Sequence, residues 1–245
     1  NNNTSKITLL QTLARHDDSQ DAYGGKYSEE AQFELAQTYL RQGANTDAEA
    51  SFKEYIRRVP NSEKARRASL NIAIAQRNDQ RLDAAIATFQ TIVKTYPGTP
   101  EAREAITTAR SVYDEANRID DYLTWVQGID FAQIRGSELD SVAYMSAYDK
   151  FAQSQYSVSF DAFVRYLKRF PDGYFAPIAQ FQAAESARMT GQMAQAIPYY
   201  QGVVRAPIST NTVSAYKWLL RDAEARKDWS EVKSHAERLI ALAED

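Results

Sequence analysis

Several residue types that carry chemistry are absent or rare in this sequence of 245 residues. It contains no cysteine, which excludes disulfide bonds, thiol catalysis and thiolate metal sites. Its two histidines, His16 and His235, are far apart, and neither has a His or Glu four residues further on, as a metal pair on one helix requires. We expect both histidines to be solvated surface residues.

Long apolar runs and an excess of positive charge are absent as well. No run of about 18 apolar residues occurs, so the sequence predicts no transmembrane segment. The net charge of -3 excludes a global basic field of the kind that draws proteins to nucleic acid, and we expect no nucleic-acid partner. Local basic clusters at Arg57–Arg58, Lys64–Arg67 and Lys168–Arg169 lie at predicted helix ends, where we expect a solvated face.

No pattern of residues supports catalysis. The sequence has neither a phosphate-binding glycine loop nor the Gly-x-Ser-x-Gly turn of a nucleophile elbow. The acidic pairs Asp17–Asp18 and Asp120–Asp121 lie beside or between predicted helices, which favours caps and solvated turns. We therefore predict that the protein is not an enzyme and has no catalytic residues, no metal site and no cofactor. Because the chain begins with Asn1, we expect a processed or excised fragment, with any signal peptide or lipid anchor outside it.

Glycine and proline are sparse, at nine and seven residues, and three of the prolines mark a repeat. The segment Tyr156–Pro171 can be laid over Asn45–Pro60 by a shift of three periods of 37 residues, and Gln80–Pro97 is the copy between them. A segment that recurs at one period is a structural unit of a repeat protein. Breaks at turn residues between runs of helical periodicity make each unit a helix pair.

Steps of 37 residues, with the last step one residue shorter, align columns of small and of large apolar residues. Small residues are expected where helices cross closely, and large ones where they fill the space between. The second-helix columns are Ala48, Ala85, Tyr122, Ser159, Ala196 and Val232, and Phe52, Phe89, Val126, Phe163, Tyr200 and Ala236. The first-helix columns are Ala31, Ala68, Ala105, Val142, Ala179 and Ala215, and Ala36, Ala73, Arg110, Ala147, Ala184 and Leu220. The columns predict an all-α fold, an α-solenoid of about six antiparallel helix pairs.

The predicted domain organisation follows from these pairs. Residues 1–27 hold a helix at Ile7–Leu13, as a cap or the remnant of an upstream repeat, and residues 28–127 hold repeats 1–3. An irregular connector is predicted at residues 128–137, after a shortened second helix, because the closing proline is missing and two glycines intervene. Residues 138–245 hold repeats 4–6, in one continuous solenoid. Local helix starts are predicted at Thr99 before a proline, and at Ser137 with Asp140.

The first helix pair resembles a tetratricopeptide repeat. The matching residues are Leu35, Ala36, Tyr39, Ala48, Phe52 and Pro60. The period of 37 residues, the missing Trp early in the first helix and the large Tyr55, Ile92 and Tyr166 depart from the family pattern. With the aromatic-Pro turns at Tyr96–Gly98 and Phe170–Gly173, the chain is similar to bacterial envelope members, the Tol-Pal coordinator proteins and the lipoprotein subunits of outer-membrane assembly. The resemblance implies a right-handed solenoid, a periplasmic or envelope-associated localisation, and compatibility with a membrane-associated complex.

The resemblance also implies that a protein or peptide partner binds the concave face, which the first helices line. Aromatic and basic residues at the positions exposed there are the candidate partner-binding residues: Tyr144, Tyr148, Phe151, Phe181, Arg188, Lys217 and Arg221. The alternative is that Tyr144, Tyr148 and Phe151, spaced i, i+4 and i+7, pack on neighbouring helices. We expect Trp125, Trp218 and Trp229 to pack in the core or between repeats. A carboxylate clamp is disfavoured, because the first repeat has Glu30, Phe33 and Gln37 at the clamp positions.

Two functions from different classes fit these observations. The first is a non-catalytic scaffold or adaptor that binds a peptide or a partner domain. The second is a glycan or small-ligand binding component of an envelope uptake system, because exposed aromatic rings stack on sugars.

Overall fold

The computed structural model describes residues 2–15 and 26–244, and every regular element in those ranges is helical. His16, Asp17 and Asp18 lie outside the described residues. The helices are α1 (Asn2–Ala14), α2 (Lys26–Arg41), α3 (Asn45–Arg58), α4 (Glu63–Asn78), α5 (Leu82–Thr95), α6 (Pro100–Glu115), α7 (Ile119–Gln127), α8 (Gly136–Ala152), α9 (Tyr156–Arg169), α10 (Ala176–Met189), α11 (Met193–Arg205), α12 (Thr212–Arg226) and α13 (Trp229–Glu244). The predicted all-α class is confirmed, and the turns between the two helices of each pair are short. None of the helices in the described ranges combines the length and the apolar character needed to cross a bilayer.

The chain divides into two compact units, Asn1–Gln133 with α1–α7 and Ile134–Asp245 with α8–α13. Within each unit every helix packs against the next along the chain. The assignment of residues to predicted repeats, and the right-handed sense of the superhelix, stay predictions.

The core of each unit consists of the aligned columns. Phe52 and Phe89 in the first unit, and Phe163 and Tyr200 in the second, are fully buried, and the small residues at Ala48, Ala85, Ser159 and Ala196 are fully buried beside them. Large rings therefore pack against close helix crossings, as expected from the repeat.

Three first-helix positions of the predicted columns are not buried. Arg110 is exposed, whereas Val142 and Leu220 are partly exposed. The buried residue is the adjacent one in each helix, namely Ala109, Ala143 and Leu219. The buried positions of α8 follow those of α6 by 38 residues, as Ala143 follows Ala105, and one residue turns a side chain by about 100° around a helix. On α6 the spacing from α4 is still 37, since Ala109 follows Ile72, and Arg110 lies one residue past the buried position.

The start of α6 follows the predicted capping chemistry, whereas the start of α8 does not. The Thr99 hydroxyl accepts the backbone N–H of Ala102 at 3.2 Å, and Pro100 is the first helical residue. Helix α8 begins at Gly136 without a side-chain cap. The predicted pairing of Ser137 with Asp140 was wrong, because the Asp140 carboxylate is buried and binds the Tyr166 hydroxyl at 2.5 Å.

The third helix pair is irregular. Its second helix, α7, has nine residues, and a short 3-10 turn at Asp130–Ala132 follows it before α8 begins. The predicted shortening of this helix is confirmed.

Helix α1 is longer than the predicted Ile7–Leu13 and packs on the first pair. Leu10 and Ala14 form an apolar cluster with Ala31 and Leu35 of α2. The Gln11 amide also donates to the Tyr39 hydroxyl at 2.7 Å. Helix α1 thus contacts α2 as the second helix of a preceding pair would.

Candidate functional site

The first helices of the second unit, α8, α10 and α12, carry all seven candidate residues. We call the exposed and half-exposed side chains of these three helices the first-helix face of unit 2. Tyr148, Lys217 and Arg221 are exposed, whereas Phe151, Phe181 and Arg188 are half-buried.

Tyr144 is a correction to the predicted exposure. Its side chain is only 6% exposed, and its ring stacks on the Phe175 ring at 4.3 Å and contacts the Phe163 and Tyr166 rings. Burial raises the pKa of Tyr144. Because Ala143 rather than Val142 faces inward on α8, Tyr144 turns into the core with it. The packing alternative therefore describes Tyr144.

Tyr148 and Phe151 lie at the border of that aromatic cluster. The Tyr148 ring is 38% exposed and lies nearly parallel to the Tyr144 ring, with centroids 6.0 Å apart. The Phe151 ring packs edge-on against Phe163 and Tyr156. Tyr148 thus exposes part of its ring to solvent, and the Tyr144 ring restrains it. Phe151 mainly packs against other rings.

Apolar side chains that sequence reasoning did not select are exposed on the same helices. Met145 on α8 and Ile178 on α10 are each 40% exposed, and Met189 at the end of α10 is 48% exposed. Methionine side chains are flexible and adapt to varied partner surfaces. The one-residue shift of α8 that buries Tyr144 is also what exposes Met145, so the fixed step of 37 residues could not find it.

Trp218 on α12 has the guanidinium groups of two arginines over its ring. The Arg188 guanidinium is 4.5 Å from the indole centroid and the Arg221 guanidinium is 4.7 Å from it. The indole also contacts the core that surrounds Tyr200. Its packing role was predicted, but its function as a support for two arginines was not. The spacing of Trp218 and Arg221, three residues apart on a helix, was a usable signal.

The two arginines differ in their other partners. Arg188 donates to the Glu185 carboxylate at 2.5 Å, and the same carboxylate accepts the Tyr200 hydroxyl at 2.5 Å. The hydrogen bond to Glu185 raises the pKa of Arg188, and burial followed by the bond to Glu185 raises the pKa of Tyr200. Among the described residues, Arg221 and the neighbouring Lys217 have no ion pair.

Four cations on the first helices of the other unit pair with glutamates of neighbouring first helices, whereas Arg103 and Arg110 of α6 have no ion pair with a described residue. Arg67 pairs with Glu104 at 2.7 Å, and close ion pairs join Lys64 to Glu30. Close pairs also join Arg77 to Glu115, and Arg66 reaches the buried Glu101 at 3.1 Å. The cluster Lys64–Arg67 is therefore paired across first helices rather than simply solvated.

The remaining aromatic candidates are placed differently. Trp125 stacks on Tyr113, with ring centroids 5.9 Å apart, and lines an open cleft of about 350 Å³ beside the 3-10 turn. Trp229 is 67% exposed, so its predicted packing was wrong. It is the first residue of α13, and it lies at the surface there.

Histidine and carboxylate chemistry is sparse in the part of the chain that the structure describes. It contains no group of three or more His, Asp or Glu side chains placed to hold a metal ion. His235 is half-buried, with its ring 5.8 Å from the Tyr216 ring.

Comparison with known families gives one match. The sequence model of the tetratricopeptide repeat matches residues 8–63, 33–100 and 144–209, which together cover more than half of the chain. No curated protein matches the sequence significantly.

Similar helical repeats occur among solved structures. A tetratricopeptide repeat protein from Parabacteroides merdae is 14% identical over 87% of this chain and 92% of that chain, with a TM-score of 0.41. The C-terminal part of a repeat protein from Cytophaga hutchinsonii is 14% identical over 98% of this chain and 90% of that chain, with a TM-score of 0.41. PilF of Pseudomonas aeruginosa is 14% identical over 89% of this chain and 93% of that chain, with a TM-score of 0.37. Likeness at this level carries no argument about function.

Proposed function

This chain belongs to the tetratricopeptide repeat family, and from that premise we propose that it is a non-catalytic scaffold that holds a protein or peptide partner on the first-helix face of unit 2. Repeat solenoids present extended surfaces of this kind for binding. A localisation in the bacterial envelope, in a membrane-associated complex, is part of the proposal and draws on the sequence resemblance alone.

The observation that carries the proposal is the contrast between the two sets of first helices. In one unit, opposite charges on neighbouring first helices pair with each other, as in Arg67 with Glu104. In the other, Met145 and Tyr148 of α8 and Met189 of α10 are exposed, and Lys217 and Arg221 of α12 have no ion pair with a described residue. Apolar and aromatic side chains next to arginine are the usual composition of a binding hot spot.

The glycan alternative is not favoured on this face. Sugar binding needs an open aromatic ring face, but guanidinium groups cover Trp218 from Arg188 and from Arg221. Tyr148 is the one exposed ring among the candidate residues, and it lies against the ring of the buried Tyr144. This composition suits a peptide better than a polar sugar.

We expect Tyr148→Ala combined with Met189→Ala to abolish partner binding while the helical circular dichroism stays unchanged, because both side chains are exposed. The partner is first mapped by photo-crosslinking from residues 145, 178 and 189 in the native cell, with crosslinkers at Lys168 and Arg205 on second helices as the comparison.

The control for this change is Tyr174→Ala, which removes a tyrosine that is 85% exposed but lies in the turn before α10. The expected result is one protein species that is crosslinked from all three first-helix sites, and whose crosslinks from residues 145 and 178 are lost in the double variant but not in the control. Crosslinking from the second helices alone, or undiminished binding by the double variant, would refute the proposal.

A further inference from the structure

We propose that the partner segment is acidic, and that its side-chain carboxylates bind Lys217 and Arg221 next to the indole of Trp218. This inference rests on the proposed function and specifies the chemistry of the partner. Apolar side chains of the same segment contact Met145, Tyr148 and Met189.

The two cations, Lys217 and Arg221, lie on one side of α12. Lys217 and Arg221 lie four residues apart on α12, so they project from the same side of the helix. Both are exposed, and neither forms an ion pair with a described residue. Two exposed cations one turn apart can bind two acidic side chains of an extended or helical segment.

The carboxylates on α10 and α12 do not neutralise these two cations. Asp222 on α12 is paired with Arg226 at 2.8 Å. On α10, Glu185 occupies the repeat position equivalent to that of Arg221, but Arg188 and Tyr200 already bind it. Glu224 is exposed and has no ion pair among the described residues, so it does not neutralise Arg221. In the other unit, glutamates of neighbouring first helices pair with the cations of α4. Here α10 offers no glutamate that is free to pair with a cation of α12.

The Arg221 side chain is positioned by its contact with Trp218. The Arg221 guanidinium lies over the indole, 4.7 Å from its centroid, and its planar set of N–H donors forms the fork that matches a carboxylate. The Arg188 guanidinium also lies over the indole and is itself held by Glu185, which restrains Trp218. Arg221 is therefore preorganised for a carboxylate, and less side-chain entropy is lost on binding.

Nucleic acid fits this surface less well than an acidic peptide. The chain has a net charge of -3, and the two unpaired cations are followed on the same helix by Glu224. The exposed apolar side chains of α8 and α10 include Met145, Ile178 and Met189, which do not stack on bases as aromatic rings do.

The experiment selects peptides from a displayed library of random short peptides, presented as internal segments without free ends. We expect peptides that bind the wild-type protein to be enriched in Asp and Glu. The best of them, synthesised with blocked termini, is then titrated by fluorescence anisotropy at low and at high salt. We expect Lys217→Gln with Arg221→Gln to weaken its binding about tenfold at low salt, and by less at high salt.

The matched control is Lys168→Gln with Arg205→Gln, which removes two exposed cations from second helices of the same unit. We expect it to change the affinity by less than about twofold, because peripheral charges act weakly in salt. Arg221→Lys keeps the charge but loses the fork, and should give an intermediate loss. Circular dichroism and the melting temperature of each variant verify the fold.

The outcomes separate the inference from the proposed function. Two outcomes overturn the inference alone, provided that binding needs Tyr148 and Met189. In the first, the selected peptides are not enriched in acidic residues. In the second, the Lys217→Gln, Arg221→Gln variant binds them with unchanged affinity. If no peptide binds, or if binding ignores Tyr148 and Met189, both proposals fail.

Discussion

At the scale of single residues, Gly173 shows how tightly the turn before α10 is packed. The Asp140 carboxylate accepts the Tyr166 hydroxyl at 2.5 Å and the Tyr174 backbone N–H at 2.7 Å, and so joins α8, α9 and this turn. A Cβ at Gly173 would lie 2.6 Å from the Tyr166 hydroxyl and 2.9 Å from the Phe170 Cβ. Space rather than backbone conformation therefore requires glycine here, because its φ is not positive.

We expect Gly173→Ala to lower the free energy of unfolding by about 1–3 kcal/mol, because a methyl group that has no room displaces a buried hydrogen bond. Urea unfolding followed by circular dichroism measures this change. Gly136→Ala is the control, since nothing lies within 4 Å of its Cβ position and its φ is not positive. Equal stability of the two variants would contradict the packing described for the turn.

At the scale of helices, Glu49 joins three elements of the first unit. On α3, its carboxylate binds Lys53 at 2.7 Å, and it accepts the Gln76 amide of α4 at 3.0 Å. A close ion pair joins it to Arg81, the residue before α5. Burial alone would raise the pKa of Glu49, but the hydrogen bonds from these three residues hold it at about 2.

This low pKa predicts a loss of stability in acid. An unfolded glutamate has the ordinary pKa of 4.5, so the stabilisation is present above that pH and is lost as the pH falls towards about 2. Because the Glu49 side chain is only 10% exposed, the loss amounts to roughly 2–3 kcal/mol.

Melting temperatures measured along an acid series check this expectation. Glu49→Gln should be less stable than the wild type near neutral pH and should approach it in acid. Glu63→Gln, which changes an exposed glutamate at the start of α4, should run parallel to the wild type. A constant difference between Glu49→Gln and the wild type at every pH would show that Glu49 is not held ionised.

At the scale of the whole molecule, stability comes from local contacts that repeat along the chain. Each helix packs on its sequence neighbours within its unit, as in other repeat proteins, where stability is close to a sum over adjacent contacts. Phe163 is fully buried in the second unit, with its ring 6.1 Å from Tyr144 and 6.3 Å from Phe151. It therefore supports the first-helix face of unit 2 from behind.

We expect Phe163→Ala to cost about 3–5 kcal/mol, because it leaves a cavity between α8 and α9. Phe163→Leu, which keeps most of the volume, should cost less than the alanine change. Thermal unfolding measures both, and amide exchange should increase first in α8 and α9. An unchanged melting temperature of Phe163→Ala would show that this residue is not part of the core.

The sequence by itself determined the helix pairs, the residues that fill their core and the shortened α7. This is possible because each helix in a repeat array meets helices that are near in sequence, so a periodic pattern records most of the packing. The predicted columns failed at Val142, where the repeat spacing changed by one residue, and at Arg110, which lies one residue past the buried Ala109. In α13, Val232 and Ala236 are only half-buried.

Only the tertiary structure decided which candidate residues are available to a partner. The one-residue change in α8 turned Tyr144 inward, and the approach of α10 to α12 placed Arg188 on the indole of Trp218. Whether a cation is neutralised, as Arg67 is, or left unpaired, as Arg221 is, depends on the side chain that the neighbouring helix presents a few ångströms away. A periodic pattern does not specify a distance of that kind, because a single residue of register or a different rotamer changes it.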